Sequence, residues 1–254
     1  MRTRDSRVRV SEPGARIHAV RALIAAEPTT AAGRPGDPAS WLQRLCTAAM
    51  RALPASGVAV SLVADNGIRS LAAASDPLSS ELEDLQYTVG EGPSVEAFTS
   101  RRPVLASDLS DGAMTRWPGY APAAHDRGVR AVFAFPLHVG AARLGVLDVY
   151  RQQPGSLSDE ALVQALTFAE VAVQALLDGQ ELATAGHLGD GLDRALDSRV
   201  TLYQAQGMVM FDLGVSITDA TARLRAYSYA AGRPVQDVAR DIVDGRLRLD
   251  RDGP

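Results

Sequence analysis

The apolar residues of this chain follow two different periods, and the changeover happens once. Between Ser40 and Leu177 strand-like runs mix with helical ones; from Leu192 onward only helical spacing remains. A period of two and a period of 3.6 put side chains on different surfaces, so one regular layer cannot satisfy both. The changeover falls in Asp178 to Gly191, where Gly179, Gly186, Gly189 and Gly191 each weaken helix by ~1 kcal/mol relative to Ala. A domain boundary is expected there, and 254 residues leave room for a unit on either side.

The first unit reads as an α+β sandwich on an antiparallel sheet. Trp41 to Leu53 has helical spacing, with Leu42, Leu45, Ala49 and Leu53 on one side. Gly57 to Asp65 is a strand, Asp65-Asn66-Gly67 a hairpin turn, and Ile68 to Ser75 the returning strand, because Asn-Gly accepts the positive φ of tight hairpins. A short helix follows at Leu78 to Leu85. Strands then fall at Pro103 to Ser107, Ala131 to Val139 and Leu144 to Tyr150, the last two joined at Gly140 to Arg143. Ser158 is placed to cap a helix running to Leu177, with Asp159 and Glu160 at its positive end. Ahead of all this, residues 1–39 read as a flexible tail with a short helix near Ile17 to Ala26, joined through Pro28 to Pro38.

Two stretches carry a resemblance. VGEGPSVEAFTSRRPVLASDL (Val89 to Leu109) resembles the middle of a GAF domain, and RAVFAFPLHVGAARLGVLDVYR (Arg130 to Arg151) its closing hairpin, over residues 40–177. The resemblance implies a six-stranded sheet flanked by helices, with a pocket that senses a small molecule in some members. Trp117, Tyr120, Phe135 and His138 are the side chains expected nearest such a ligand, with core or loop packing as the competing role of each. Phe133, Phe135 and Leu137 alternate away from His138, which therefore faces solvent or a pocket.

Several chemistries are excluded. Every one of the 26 positive residues is Arg, so the Lys-bearing signature of cyclic-nucleotide GAF domains and the catalytic Lys of kinases are both missing. Gly90-Glu91-Gly92-Pro93 lacks the phosphate-loop pattern and reads as a turn. There is no GxSxG elbow. His125 and His138 belong to no metal-binding cluster, and Cys46, the lone cysteine, sits on the apolar side of its helix. No catalysis, metal or cofactor is expected. A single cysteine, the absence of a signal-peptide pattern and the absence of a long apolar window lead to an expected cytoplasmic protein without a membrane partner. The basic stretch through Arg21 reads as a solvated terminus.

The second unit, residues 192–249 after a helical linker at 178–191, reads as three helices. Leu192 to Leu213 carries two apolar stripes: Leu192, Leu196, Tyr203, Met210 and Leu213, and beside them Ala195, Leu202, Ala205 and Val209. A surface that wide suggests one contact inside the domain and one with a partner. Gly214 closes the helix. Ser216 to Asp219 opens the next in capping-box style, and Ile217, Ala220, Leu224, Tyr227 and Ala231 make its core stripe. Pro234 starts a third helix with Val235, Val238, Ala239 and Ile242 inward, ended by Gly245.

Ala195 to Gly245 closely resembles an ANTAR domain, through Ala205-Gln206-Gly207, Ala220, Leu224-Arg225, Ser228 and Asp237-Val238-Ala239. That resemblance implies binding to RNA hairpins in leader transcripts and prevention of transcription termination. Many members have Ala-Lys-Gly where this chain has Gln206, which keeps hydrogen bonding but loses a phosphate-pairing charge. Residues 192–254 hold nine Arg and nine Asp, a neutral balance for a nucleic-acid module. Arg223, Arg225, Ser228, Tyr229 and Arg233 nevertheless lie off the core stripe, and Arg225 and Tyr229 are one turn apart. Arg for phosphate beside Tyr for base stacking suits an unpaired RNA loop. With Arg199 and Gln206 of the preceding helix they form the expected RNA-binding set. The plain alternative is a solvated face with Tyr229 packed against a neighbour. The expected whole is a signal-responsive RNA-binding regulator, a homodimer through the linker and bundle helices. Its alternative is a small-ligand sensor or interaction module whose bundle only dimerises.

Overall fold

A computed structural model describes residues 13–28, 38–63, 69–110, 112–184 and 190–250, with side chains omitted at 38–39 and 179–200. The helices are α1 (Pro13–Ala26), α2 (Pro38–Ala52), α3 (Pro77–Val89), α4 (Pro93–Ser100), α5 (Ala113–Arg116), α6 (Ala121–Asp126), α7 (Asp159–Thr184), α8 (Asp190–Leu213), α9 (Ile217–Ala231) and α10 (Val235–Val243). The strands are β1 (Gly57–Val63), β2 (Arg69–Ala74), β3 (Val104–Ala106), β4 (Ala131–Val139) and β5 (Ala142–Arg151). They form one sheet in the order β2-β1-β5-β4-β3, with every pairing antiparallel.

The sheet is covered on both faces, so its strands alternate between two interiors rather than between core and water. Phe133, Phe135 and Leu137 of β4, Leu147 and Val149 of β5, and Val58 and Val60 of β1 face α2 and α7. Leu45, Cys46 and Ala49 of α2 and Ala165, Phe168 and Ala172 of α7 fill that side. Val132 and Ala134, Val146 and Tyr150, and Ala59 face the opposite way, toward α3, α4 and the turns through α5 and α6. Burial pushes the Cys46 thiol well above its ordinary range, as expected of a core cysteine rather than an attachment point.

The sheet, the hairpins and the long helix after Ser158 follow the expected α+β pattern. The Ser158 hydroxyl accepts from the Ala161 amide at 3.2 Å. Five strands are present among the described residues, against six implied by the resemblance. The expected turn at Asp65 to Gly67 lies outside the described residues. Helix α4 was not anticipated: Pro93 occupies its first turn, where its fixed φ is favourable and no donor is lost. Helix α1 is no loose tail, because Val20 and Ile24 bury in the same core as α7. The stretch Asp159–Asp178 of α7 is long and apolar enough to cross a membrane by length and composition; one side of it, with Ala165, Phe168 and Ala172, is buried against the sheet.

Helices α8, α9 and α10 enclose a further core from Leu202, Ala205, Val209, Ala220, Leu224, Val235, Val238, Ala239 and Ile242, which Tyr87 of α3 joins. Ser216 caps α9 as expected: its hydroxyl accepts from the Asp219 amide at 3.2 Å and donates to the Asp219 carboxylate at 2.7 Å. Gly214 and Gly232 close α8 and α9 with φ of 67° and 60°. The stripe expected on α9 is corrected at its ends. Ile217 is 49% exposed and Ala231 is also exposed, while Ser228 turns inward. The boundary stretch proves helical as far as Thr184, passing through Gly179. Helix α9 lies against α3, so the bundle is seated on the sandwich.

Candidate functional site

Polar side chains interrupt the second face of the sheet. Alternation along β5 aims Asp148 into that face between Val146 and Tyr150, and α3 contributes Glu83 and Gln86 one turn apart. Arg69 enters from β2 and Ser94 from the first turn of α4. All of these residues are buried. Arg69 Nη2 donates to Ser94 Oγ (2.6 Å), which donates to Asp148 Oδ2 (2.6 Å). Arg69 Nη1 lies 3.6 Å from Glu83 Oε2. Glu83 accepts from the Ser61 hydroxyl and from Tyr150 Oη, the latter at 2.5 Å. Gln86 Nε2 donates to Tyr150 Oη (3.2 Å), and its Oε1 accepts from the Ser94 amide (2.8 Å). Gly92 makes room for this last contact: a Cβ there would stand 2.5 Å from Gln86 Oε1, and its φ is 128°.

Two carboxylates share one guanidinium here. Burial, and then the nearby charge of Glu83, hold the Asp148 carboxyl well above its usual range. The same burial, with Asp148 as the next cause, raises the Tyr120 phenol. Tyr120 Oη and Asp148 Oδ1 find no hydrogen-bond partner in this pocket. Neither Arg69 nor the acids stood out in the sequence. Asp148 within the otherwise apolar run GVLDVY was the one available signal.

The four side chains expected around a ligand do not come together. Trp117 and Tyr120 are buried on the polar face of the sheet. Phe135 lies in the opposite core. His138 is exposed at the end of β4, beside the bulge at Leu137/His138. Alternation accounts for this separation, since Phe135 belongs to the set facing α7.

The RNA-binding set divides as sharply. Arg225 and Tyr229 lie one turn apart on α9, and Tyr229 is 60% exposed, not packed against a neighbour. Gln206 is 2% exposed and donates to Thr221 Oγ1 at 2.9 Å, holding α8 to α9. Ser228 is fully buried and its hydroxyl donates to the Arg233 carbonyl. Both are therefore corrected from surface contacts to interior ones: short polar side chains at these positions point between the helices. Arg233 pairs with Asp241 at 2.5 Å. Arg223 Nη1 approaches the Asp250 carbonyl at 3.5 Å. The side chain of Arg199 lies outside the described residues.

Charge neutrality has a structural form. Arg240 pairs with Asp237 (2.8 Å), Arg246 with Asp241 and Asp244 (2.7 Å each), and Arg248 approaches Asp212 at 3.9 Å. Arg225 instead lies over the ring of Tyr87 on α3, guanidinium carbon to ring centre 4.8 Å. A cleft of 480 Å³ opens beside it, lined by Gly90, Glu91 and Gly119 from the sandwich and by Arg225, Ala226 and Tyr229 from the bundle. Glu91 secures the sandwich wall by accepting from the amides of Gly119 (2.5 Å) and Tyr120 (3.1 Å). On the far side of α8, Tyr203, Met208 and Phe211 are exposed, Phe211 by 88%.

The family model of the GAF domain matches residues 36–177, and that of the ANTAR domain residues 190–243. No curated protein matches the chain. Among solved structures, the GAF domain of a phosphoenolpyruvate-protein phosphotransferase from Acinetobacter superposes with a TM-score of 0.50 at 13% identity, covering 68% of this chain and 97% of that one. The corresponding domain from Coxiella burnetii gives a TM-score of 0.51 at 16% identity, covering 68% and 96%. Likeness at this level shows the fold.

Proposed function

The chain belongs to the GAF-domain family and carries an ANTAR domain behind its sandwich, and from that premise we propose that it is an RNA-binding antiterminator whose GAF half answers a signal. At the family level this pairing is a signal-sensing, RNA-binding regulatory architecture. The reading is of a cytoplasmic regulator, not a catalyst. The observation that carries it is the pair on α9: Arg225, uncommitted to a carboxylate among the described contacts, and Tyr229, exposed one turn away. A guanidinium for phosphate beside a ring for an unpaired base is what a hairpin loop requires. Arg223 and Arg233 flank the pair, and Arg199 completes the proposed set from α8.

The signal is proposed to enter on the polar face of the sheet, near Trp117 and Tyr120. The exposed strip of Tyr203, Met208 and Phe211 on α8, of which only Tyr203 belongs to the stripes read in the sequence, is proposed as the face of a homodimer.

Binding to a hairpin leader RNA across a salt series tests the reading. Removing both charges in Arg225→Ala with Arg233→Ala is expected to weaken binding and flatten the salt slope by ~1 per lost phosphate contact. Unchanged affinity in that double variant contradicts the site. A second reading, a bundle that only dimerises, draws support from the interior position of Gln206 and the Arg–Asp pairing. Absence of RNA from material cross-linked in cells favours it.

A further inference from the structure

We propose that the sensor half holds the RNA face closed in this state, with Tyr87 of α3 and the turn at Gly90 acting as a latch on Arg225. The inference rests on the RNA-binding reading above and adds the contact that withholds the face. Tyr87 belongs to the sandwich by chain position, yet it is 4% exposed and packs with the bundle core of Leu202, Val209 and Leu224. Its ring is the surface on which the Arg225 guanidinium lies. A partly desolvated cation over an aromatic face is held more firmly than an exposed one. The following turn closes in as well: a Cβ at Gly90 would stand 3.3 Å from Arg225 Nη1, and the φ of 73° suits glycine.

The consequence is competition. A phosphate paired with Arg225 needs the guanidinium that Tyr87 holds, and a strand laid along α9 needs the space walled by Thr88, Gly90, Glu91 and Gly119. Tyr229 at the mouth of the cleft is exposed, whereas Arg225 is half-buried, with its guanidinium on the Tyr87 ring. RNA and the sandwich therefore claim the same side of α9, and the measured affinity is the intrinsic one reduced by the fraction of open molecules.

The latch is also wired to the buried polar cluster. Gln86, adjacent to Tyr87, is bonded to Tyr150 and to the Ser94 amide, and Glu83 one turn earlier is bonded to Ser61 and Tyr150. A rearrangement of that cluster moves the turn of α3 that presents Tyr87.

The test uses the full chain and a pool of RNA hairpins with a fixed stem and randomised loop. Tyr87→Ala is expected to bind the pool about tenfold tighter than wild type, the fold-change that loss of one desolvated cation–aromatic contact allows. Tyr87→Leu keeps apolar bulk in the bundle core but removes the ring face, so it shifts affinity the same way where Tyr87→Ala fails to fold. Adding Arg225→Ala to either variant is expected to abolish the gain. If wild type binds the pool and neither Tyr87 variant binds tighter, the latch is overturned and the RNA reading stands. If no variant binds, the RNA reading falls and the latch falls with it.

Discussion

The two faces of one sheet are filled in opposite ways. Against α2 and α7 the sheet meets a cluster of apolar side chains that includes Leu45 and Phe168. Against α3 and α4 it is threaded by Arg69, Glu83, Gln86, Ser94 and Asp148, all buried and linked by hydrogen bonds. Dispersion and burial stabilise the first face without specifying any polar geometry. The second carries a defined polar arrangement, and it is the face whose helix α3 reaches the ANTAR bundle. Apolar packing and buried polar order are thus divided between the two sides.

The largest effects should come from breaking each face in its own way. Phe168→Ala removes a fully buried ring and is expected to lower unfolding free energy by about 3–5 kcal/mol. Arg69→Met should cost a similar ~3–5 kcal/mol, because it removes the guanidinium beside the buried Glu83 carboxyl and the donor to Ser94, which bonds Asp148. The faces differ in rescue. Adding Glu83→Gln and Asp148→Asn to Arg69→Met should recover most of the loss in urea unfolding. A triple variant as unstable as Arg69→Met alone would mean the polar face is not governed by its charges.

The junction between sandwich and bundle should respond to pH. Burial, and then the carboxylates of Glu83, Asp237 and Glu81, push Asp84 up to about 6. A raised carboxyl pKa means the folded chain holds its proton longer than the unfolded one. The associated stability is intact below about 4, and it is lost as pH rises through about 6. Asp84→Asn should therefore be more stable than wild type at pH 7.5 by roughly 1–3 kcal/mol and equal to it near pH 4. Thermal unfolding at the two pH values checks this; a pH-independent difference would rule out Asp84 as the titrating group.

The smallest effect sharpens the contrast between buried and exposed charge. Arg116 and Glu96 form an ion pair on the same side of the molecule, with Nε to Oε2 at 2.9 Å, but their side chains are 53% and 35% exposed. Glu96→Gln should cost less than about 1 kcal/mol in the same urea assay. A loss approaching that of Arg69→Met would show that burial is not what separates the two pairs.

Local features were legible in the sequence. Val235, Val238, Ala239 and Ile242 face inward at the spacing they carry, and Ser216 caps the helix its motif marks. The alternation of Phe133, Phe135 and Leu137 also set the sheet faces, although it could not say that Phe135 faces away from Trp117 and Tyr120. What escaped was non-local. Arg69, Glu83 and Asp148 come from β2, α3 and β5 and become one cluster only when the sheet forms. Tyr87 meets Arg225 only when the bundle docks. Gln206 and Ser228 matched family positions, yet helix rotation within the bundle sends both inward.

Ultraviolet cross-linking of RNA to the full chain in cells, with adducts mapped to peptides, addresses the central claim most directly. Adducts on the α9 peptide that carries Arg225 and Tyr229 are the predicted result. RNA absent from the cross-linked protein, or adducts confined to the sandwich, would contradict it.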